Sequence, residues 1–290
     1  MPIIVTKRYL NPIVTFMELD CPHIAKKARP GQFVMVRPDA MGERIPLTIA
    51  DYDPVRGTVT IMYQRLGVTT HKLNLLEAGD NVLDVVGPLG NPTEVDGVKR
   101  AMVIGGGVGS AIAYPQAKAL YAAGAYVDVI IGFRSKELVF MEDNFRRNCS
   151  NLYITTDDGT YGEQGFVNKK LEQLLKAGAQ YDVVIAIGPV PMMRAICQCT
   201  LPYNIKTIVS LNPIMVDGTG MCGCCRCKVD GQTKFACVDG PDFDGHKVDF
   251  DELMIRTAVY RTQEADATER HLCNLQRMAD ELKKQEGGAQ

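Results

Sequence analysis

Tryptophan is absent from this chain of 290 residues, and histidine occurs only four times. Because the histidines are scattered, at His23, His71, His246 and His271, we expect structural or surface roles and no histidine-based metal site. No apolar run approaches the roughly 20 residues that cross a bilayer, and the N-terminus lacks the apolar core of a signal peptide. A membrane span is therefore not expected.

An excess of charge of either sign is also missing. The formal net charge is −2 and no run of basic residues stands out, which argues against a nucleic-acid partner. Hydrophobic residues make up 46% of the chain and charged residues 23%, as in globular domains. The length favours two domains and a small appendage.

Cysteine, in contrast, is abundant, with ten residues. Without a signal peptide, this number is typical of a reducing cytoplasm, where clustered cysteines more often serve metal or redox chemistry than disulfides. We therefore expect a cytoplasmic protein. Half of the cysteines lie in the glycine-rich segment 215–240: Cys222, Cys224, Cys225, Cys227 and Cys237.

The cysteine-rich segment has the spacing of a cluster site. Cys222, Cys225 and Cys237 form the pattern C-x2-C-x11-C, and Asp217 precedes the first of them by five positions. The resulting pattern is the plant-type [2Fe-2S] loop, C-x4-C-x2-C with a remote fourth cysteine, with one ligand changed. The spacing predicts a [2Fe-2S] cluster held by Asp217, Cys222, Cys225 and Cys237. Two alternatives stay open: zinc held by the three cysteines and one of the extra thiols, or a loop of free thiols.

The first ninety-odd residues contain short runs rich in valine, isoleucine, threonine and aromatic residues, separated by proline and glycine turns. This punctuation predicts a closed antiparallel β-barrel, with a short helix at Leu73–Glu77 crossing one mouth. The predicted strands are Ile3–Val5, Ile13–Met17, Phe33–Arg37, Leu47–Asp51, Thr58–Tyr63 and Asn81–Val86.

Two segments of this half carry specific chemistry. In the first, Arg44 is followed by a proline and by Thr48, which could place a guanidinium on a phosphate and a hydroxyl on a ring edge. In the second, Gly67 with Thr69 and Thr70 offers backbone N–H groups and hydroxyls to a pyrophosphate. An exposed arginine and a capping threonine would give the same pattern, so each segment alone is a weak signal.

From Arg100 onward, strands alternate with helices, which predicts a mostly parallel sheet that binds ligands at the carboxyl ends of its strands. The turn Gly105–Ala111 joins the first strand to a helix, as in dinucleotide sites, although its spacing is not the strict G-x-G-x-x-G. Other candidate ligand segments at strand ends are 132–134, 157–159 and 188–192. The predicted strands are Ala101–Ile104, Val127–Ile131, Leu152–Thr156 and Val183–Ile187, and the predicted helices Ile112–Ala123 and Val167–Lys176.

Taken together, R-x-P-x-T in a barrel, G-G-G-x-G after the first strand of a nucleotide domain and G-P-x-x-M after a later strand resemble the ferredoxin–NADP reductase superfamily. The appended cysteine loop narrows the resemblance to the electron-transfer subunits of dihydroorotate dehydrogenase B and their relatives. Segments 211–222 and 235–241, with Asp217 where the dihydroorotate branch has cysteine, resemble the small (alpha) subunit of NADH-dependent reduced ferredoxin:NADP+ oxidoreductases, also called sulfide dehydrogenases.

The resemblance implies FAD, NAD(H) and a [2Fe-2S] cluster as cofactors, with Thr48 near the flavin N5 as the catalytic position. The implied FAD contacts are Arg44, Pro46, Leu47, Thr48, Met62, Tyr63, Gln64, Gly67, Thr69 and Thr70. The implied nicotinamide-nucleotide contacts are Gly106, Gly107, Gly109, Asp157, Gly188 and Met192. The implied metal ligands are Asp217, Cys222, Cys225 and Cys237.

Two positions depart from the wider family pattern. Ile187 stands where a cysteine commonly precedes the G-P pair, so no thiol faces the nicotinamide there. Ile45 stands where the dihydroorotate branch has a second arginine, which leaves one fewer cation for the FAD phosphates.

We expect four units: an FAD-binding barrel at 1–97, an NAD(P)-binding α/β domain at 98–210, a [2Fe-2S] module at 211–248 and a helical tail at 249–290.

The helical tail is predicted as two polar helices, Phe250–Tyr260 and Ala265–Lys284, with a narrow apolar stripe. The stripe would pack either on its own chain or against a partner subunit. By resemblance, that partner is a larger subunit with flavin and [4Fe-4S] clusters, through which ferredoxin and NADP(H) are reached in a bifurcating transhydrogenase. The alternative is an electron-transfer subunit of another dehydrogenase, acting on dihydroorotate, sulfide or polysulfide.

Overall fold

The computed structural model describes the backbone of residues 1–287 and the side chains of residues 1–274. Its two large sheets are an antiparallel sheet of six strands, here the N-terminal sheet, and a seven-stranded sheet, here the parallel sheet. A two-stranded hairpin lies in the cysteine-rich segment. Mixed α/β architecture with one antiparallel and one parallel sheet is as the sequence predicts.

The N-terminal sheet has the order β1-β2-β5-β4-β3-β6, with every neighbouring pair antiparallel. Aliphatic side chains alternate along its strands and fill a core of their own. Its elements are β1 (Ile4–Tyr9), β2 (Val14–Asp20), α1 (Pro22–Ala25), β3 (Phe33–Arg37), β4 (Ile45–Asp53), β5 (Thr58–Gln64), α2 (Val68–Leu75) and β6 (Asp84–Leu89).

The antiparallel strands are confirmed, but the closed barrel is not. Within residues 1–287, the edges of the sheet meet through an isolated bridge between Ile3 and Asn81. The turn before β6 makes this contact, since the Ile4 N–H donates to the Asp80 carbonyl at 2.9 Å and the Gly79 N–H donates to the Ile4 carbonyl at 2.8 Å. A turn rather than a strand ladder therefore brings the two edges together.

The short helix expected at Leu73–Glu77 was placed too late, because α2 begins at Val68. Gly67 precedes it in extended conformation, and Thr70 Oγ1 accepts the N–H groups of Leu66 and Gly67 at 3.0 and 3.1 Å. This side-chain capping starts the helix at a position where the hydrophobic pattern is weak.

The parallel sheet has the order β10-β9-β8-β7-β11-β12-β15, and only β15 runs antiparallel to its neighbour. Its core strands are apolar on both faces, as expected when helices cover a sheet on both sides. The elements are β7 (Arg100–Gly106), α3 (Gly109–Ala122), β8 (Tyr126–Phe133), α4 (Glu142–Arg146), β9 (Asn151–Thr156), β10 (Glu163–Gln164), α5 (Val167–Lys176), β11 (Val183–Ile187), α6 (Val190–Thr200) and β12 (Lys206–Ser210).

The remaining elements lie within the cysteine-rich segment or follow it. Strand β15 falls in the range predicted for the cluster module, yet it pairs with β12 of the parallel sheet. The core on one face of the parallel sheet also includes Cys225, Cys237, Phe250 and Leu253, so the module and the sheet share one packed interior. These elements are β13 (Arg226–Val229), β14 (Gln232–Phe235), β15 (Asp242–Asp244), α7 (Phe250–Ala258) and α8 (Arg261–Gly287).

The two predicted tail helices are present, with α7 packed on its own chain through Phe250 and Leu253. Ile255 and Val259 of the predicted stripe are instead exposed. Its members Leu275, Met278 and Leu282 lie outside the described side chains. Among residues 1–287, no helix is both long and apolar enough to cross a membrane.

Candidate functional site

A cavity of about 970 Å³ lies between the two large sheets. Both sheets line it, together with segment 211–215, which leads into the cysteine-rich loop. The structure thus brings residues predicted from distant parts of the sequence into one site. The predicted residues that line it are Pro46, Leu47, Thr48, Met62, Tyr63, Gln64, Thr70, Gly106, Gly107, Gly109, Asp157, Gly188 and Met192.

The carboxyl ends of β7, β9 and β11 supply the polar edge of the cavity. Gly106 ends β7, Asp157 follows β9, and Gly188 follows β11. Parallel strands point these ends to one edge of the sheet, as doubly wound ligand sites require. Gly107 has φ +56°, and a Cβ there would have no atom within 4 Å. The turn therefore exposes its backbone to the cavity.

The next glycine of the turn is needed for packing. A Cβ on Gly109, the first residue of α3, would lie 2.4 Å from the carbonyl oxygen of Ile187. Only glycine lets α3 approach β11 this closely. The N-terminus of α3 is thereby held at the cavity, where its free N–H groups favour an anionic group such as a phosphate.

Three of the predicted flavin residues lie outside the cavity lining. Arg44 pairs with Asp84 at 3.1 Å and is about half exposed. Gly67 caps α2, and Thr69 is buried with a hydroxyl that has no partner among the described residues. None of these three residues lies on the cavity surface.

Sequence analysis missed several cavity residues. Phe33, Thr155, Ser210 and Pro241 line the cavity, and the hydroxyl of Thr155 is buried without a partner in the described chain. Thr155 is the next-to-last residue of β9, so the carboxyl-end rule could have found it. Phe33 and Pro241 carry no motif and reach the site only through tertiary packing.

The cysteine-rich loop brings its predicted ligands together in two pairs. The carboxylate of Asp217 accepts backbone N–H groups from Thr219 at 2.9 Å, from Met221 at 3.2 Å and from Cys222 at 3.0 Å. These hydrogen bonds hold the pKa of Asp217 below its usual range. The segment from Asp217 to Cys222 is thus folded around one carboxylate, which holds the backbone of Cys222.

The second pair is Cys225 and Cys237, whose Sγ atoms lie 3.2 Å apart in the buried part of the loop. All described cysteines are free thiols, so this contact is not a disulfide. Cys227 is buried elsewhere, with its thiol directed to the carbonyl of Lys234 at 3.7 Å. The extra thiol Cys227 therefore belongs to the hairpin rather than to the ligand pairs.

The donor types of the predicted ligands, one carboxylate and three thiols, are compatible with a two-iron cluster. In residues with described side chains, no group of three or more His, Cys, Asp and Glu side chains is arranged to hold one metal ion. A [2Fe-2S] cluster instead takes two ligands on each iron, which matches one Asp–Cys pair and one Cys–Cys pair. The Asp217 oxygens accept three hydrogen bonds and keep lone pairs for a metal.

A buried polar contact joins the segment between β6 and β7 to β15 of the parallel sheet. Thr93 donates its hydroxyl to Asp242 Oδ2 at 2.5 Å, while Asp242 Oδ1 is inaccessible and without a partner in the described residues. Asp242 as a residue is partly exposed, but its carboxyl group is enclosed. Burial raises the pKa of Asp242 to about 6, although the hydrogen bond from Thr93 acts to lower it.

Comparison with known proteins places this arrangement in context. Residues 212–249 match the family described as the iron-sulfur cluster binding domain of dihydroorotate dehydrogenase B. The chain is 48% identical over 254 residues to the dihydroorotate dehydrogenase B (NAD(+)) electron transfer subunit homolog of Thermotoga maritima, covering 87% of this chain and 88% of that one. It is 36% identical over 234 residues to the corresponding electron transfer subunit of Bacillus caldolyticus, covering 78% and 88%.

A solved structure of similar architecture comes from work on flavin-based electron bifurcation by NADH-dependent reduced ferredoxin-NADP oxidoreductase. It superposes with a TM-score of 0.89 at 45% sequence identity and covers 94% of this chain and 98% of that one. The likeness therefore extends over nearly the whole length of both chains.

Proposed function

Because this chain belongs to the family of electron-transfer subunits of dihydroorotate dehydrogenase B and their homologues, we propose that it passes electrons between NAD(H), FAD and a [2Fe-2S] cluster for a partner flavoprotein subunit. It is an oxidoreductase subunit of a heteromeric enzyme. The observation that supports this most is the continuity of the site: one cavity is lined by both sheets and by the segment leading to the Asp217 loop. A reducing cytoplasm suits its free thiols.

The finer proposal is a subunit of a ferredoxin/NADP+-linked bifurcating transhydrogenase. The likeness to NADH-dependent reduced ferredoxin-NADP oxidoreductase supports it, at 45% identity over nearly the whole chain. Asp217 in the first ligand position supports it as well. The alternative, an electron-transfer subunit for dihydroorotate, sulfide or polysulfide, is supported by the relatives named for dihydroorotate dehydrogenase B.

The two sheets line different parts of the cavity and would bind different cofactors. Pro46, Leu47 and Thr48 on β4 and Tyr63 on β5 would hold the flavin ring and ribityl chain from the N-terminal sheet. The Gly107 turn and the α3 N-terminus would bind the pyrophosphate of the nicotinamide nucleotide. Thr48 would donate its hydroxyl near the flavin N5. When bound, a flavin accepts two electrons as hydride and releases them singly, which is the chemistry needed between NADH and a one-electron cluster.

The protein's task in this scheme is orientation and exclusion of water. Met192 packs against Gly106 and Gly188, where a Cβ would lie 2.4 and 2.6 Å from its side chain. This contact holds the ends of β7 and β11 in place at the cavity. No described acid or base is needed for hydride transfer, and the absence of a thiol at Ile187 leaves the positioning to shape.

The specific partner would be a larger subunit carrying flavin and [4Fe-4S] clusters. Ile255 at 70% and Val259 at 57% exposure give α7 an apolar outer side that a partner could cover. Ferredoxin and NADP(H) would then be reached through that partner.

The purified chain tests this proposal. Loaded with its cofactors, it should reduce an artificial acceptor such as ferricyanide with NADH, yet it should not reduce ferredoxin with NADPH. Adding the partner should restore NADPH-dependent ferredoxin reduction. If the single chain catalyses that reaction alone, the heteromeric proposal fails, and if the complex acts on dihydroorotate instead, the alternative replaces it.

A further inference from the structure

Helix α7 is fixed to the hairpin that follows the predicted ligand loop. The backbone N–H of Asp249 donates to the Lys228 carbonyl of β13 at 2.9 Å, and the Asp249 side chain caps α7 by accepting the Glu252 N–H at 3.0 Å. Phe250 and Leu253 bury the inner side of the helix in the core that contains Cys225 and Cys237. The helix therefore has a defined position relative to the loop.

Arg256 extends from this helix to the loop itself. Its Nε donates to the carbonyl of Arg226 at 3.1 Å, and its Nη2 donates to the carbonyl of Cys224 at 3.3 Å. These two carbonyls lie on either side of Cys225, whose side chain is 1% exposed and whose Sγ touches that of Cys237. One half-buried guanidinium thus holds the carbonyl groups of the residues before and after a predicted iron ligand.

The donor geometry of arginine suits this contact. A guanidinium presents several N–H groups in a planar fork and can hold two acceptors at once, whereas a lysine ammonium is a single compact charge. Both contacts are made to backbone carbonyls rather than to a carboxylate. The positive charge is therefore not matched by an ion-pair partner in these contacts, and both contacts are made to the immediate chain neighbours of Cys225.

From this geometry we propose that Arg256 is a positioning residue of the iron–sulfur site, which holds Cys225 in its ligating direction and raises the reduction potential of the cluster. The inference rests on the proposed function, because it requires a cluster at Asp217, Cys222, Cys225 and Cys237. Reduction adds one negative charge to the cluster, and a nearby cation stabilises that reduced state. Net charge and hydrogen bonding around the sulfurs are known determinants of cluster potentials.

Two substitutions separate the charge from the hydrogen bonds. Arg256→Gln removes the charge and the fork, whereas Arg256→Lys keeps the charge and loses the double contact. Arg194→Gln is the matched control. Arg194 lies on α6, and its Nη1 pairs with Asp251 of α7 at 2.8 Å without touching the loop. Each variant is purified with its cofactors, and three quantities are measured: iron and sulfide per chain, the rate of iron release to a chelator, and the cluster midpoint potential from an EPR-monitored titration.

We expect Arg256→Gln to shift the midpoint potential downward and to release iron several-fold faster than the unsubstituted protein. Arg256→Lys should release iron as fast as the glutamine variant while its potential stays near the original value. Arg194→Gln should change neither quantity. If Arg256→Gln does not fold, the lysine variant alone decides, because unchanged iron release in it contradicts the positioning role.

Other outcomes contradict the inference directly. An unchanged potential and release rate in Arg256→Gln would show that the contact has no effect on the cluster, and equal changes in Arg194→Gln would show a general effect of α7. Failure of the proposed function is distinguishable, because the unsubstituted protein would then contain no iron and sulfide and give no cluster signal.

Discussion

The Sγ atoms of Cys225 and Cys237 lie 3.2 Å apart, although twelve positions separate them in the chain. Across the loop, the carboxylate of Asp217 accepts the backbone N–H of Cys222 at 3.0 Å. The loop therefore presents one thiol pair and, beside it in the chain, a carboxylate that holds the backbone of a third cysteine. A carboxylate is a harder ligand than a thiolate, so the two irons of a cluster bound here would have unequal surroundings.

Replacing Asp217 by cysteine tests this asymmetry. Asp217→Cys should keep a two-iron cluster with a shifted midpoint potential and a changed EPR spectrum, because a thiolate donates more charge to iron. Cys224→Ser and Cys227→Ser serve as controls and should leave both nearly unchanged. Iron loss in Cys224→Ser together with an intact cluster in Asp217→Ala would show that the carboxylate is not a ligand.

Thr48 is the position expected to affect hydride transfer. Thr48→Val should leave FAD bound and slow flavin reduction by NADH about two- to thirteenfold, which corresponds to the loss of one hydrogen bond of about 0.5–1.5 kcal/mol. Stopped-flow absorbance measures the rate. Thr6→Val, on β1 and outside the cavity lining, is the control. An unchanged rate in Thr48→Val would refute the role of its hydroxyl.

The glycine turn allows a closely matched pair of variants. Gly107 and Gly124 both have positive φ, +56° and +87°, and a Cβ at either would have no atom within 4 Å. A valine at either position costs a similar conformational strain of about 1–2 kcal/mol, but only Gly107 lines the cavity.

Gly107→Val should therefore raise the Kd for NADH at least tenfold with the flavin spectrum intact, while Gly124→Val should leave it unchanged. Titration of the flavin charge-transfer or fluorescence signal with NADH measures both constants. Equal Kd values in the two variants would place the nucleotide away from this turn.

Asp242 predicts a pH dependence of stability. Its folded pKa, about 6, lies above the value of about 4 for an unfolded chain. The folded protein therefore holds this proton more tightly, so the contribution of Asp242 to stability is fully present below about pH 4 and is lost as the pH rises through 6. Between pH 5 and pH 8 the loss from this group is about 1 kcal/mol.

Asp242→Asn removes the titrating carboxyl group. Between pH 5 and pH 8 the variant should therefore lose about 1 kcal/mol less stability than the unsubstituted protein. Urea unfolding of the loaded protein at pH 5 and pH 8 measures it, with Asp96→Asn, an exposed position, as the control. If Asp242→Asn shows the same pH dependence as the unsubstituted chain, the carboxyl group ionises freely and the buried contact with Thr93 has no energetic role.

Short contiguous patterns in the sequence predicted much of the fold and of the cavity lining. The turn Gly105–Gly109 and the ligand spacing around Cys222 are contiguous patterns, and the carboxyl-end rule correctly brought Gly106, Asp157 and Gly188 to one cavity. The start of α2 was misplaced because Thr70 caps the helix through its side chain rather than through an apolar period.

Contacts between distant segments could not be read from the sequence. Arg256 reaches the loop across about thirty positions, and Asp242 meets Thr93 across 149 positions. Neither residue belongs to a periodic pattern or a motif, since an arginine on a polar helix and an aspartate after a proline have many ordinary roles. Only the packing of α7 and β15 gives them a specific partner.

The central claim is that electrons from NADH reach the Asp217 loop through the cavity between the sheets. Its most direct test is to mix the oxidised, cofactor-loaded chain with NADH without oxygen and to record flavin absorbance and EPR spectra together. With NADH in excess, we predict bleaching of the flavin followed by the EPR spectrum of a reduced [2Fe-2S] cluster. Bleaching of the flavin with a cluster that dithionite reduces but NADH does not would contradict the account.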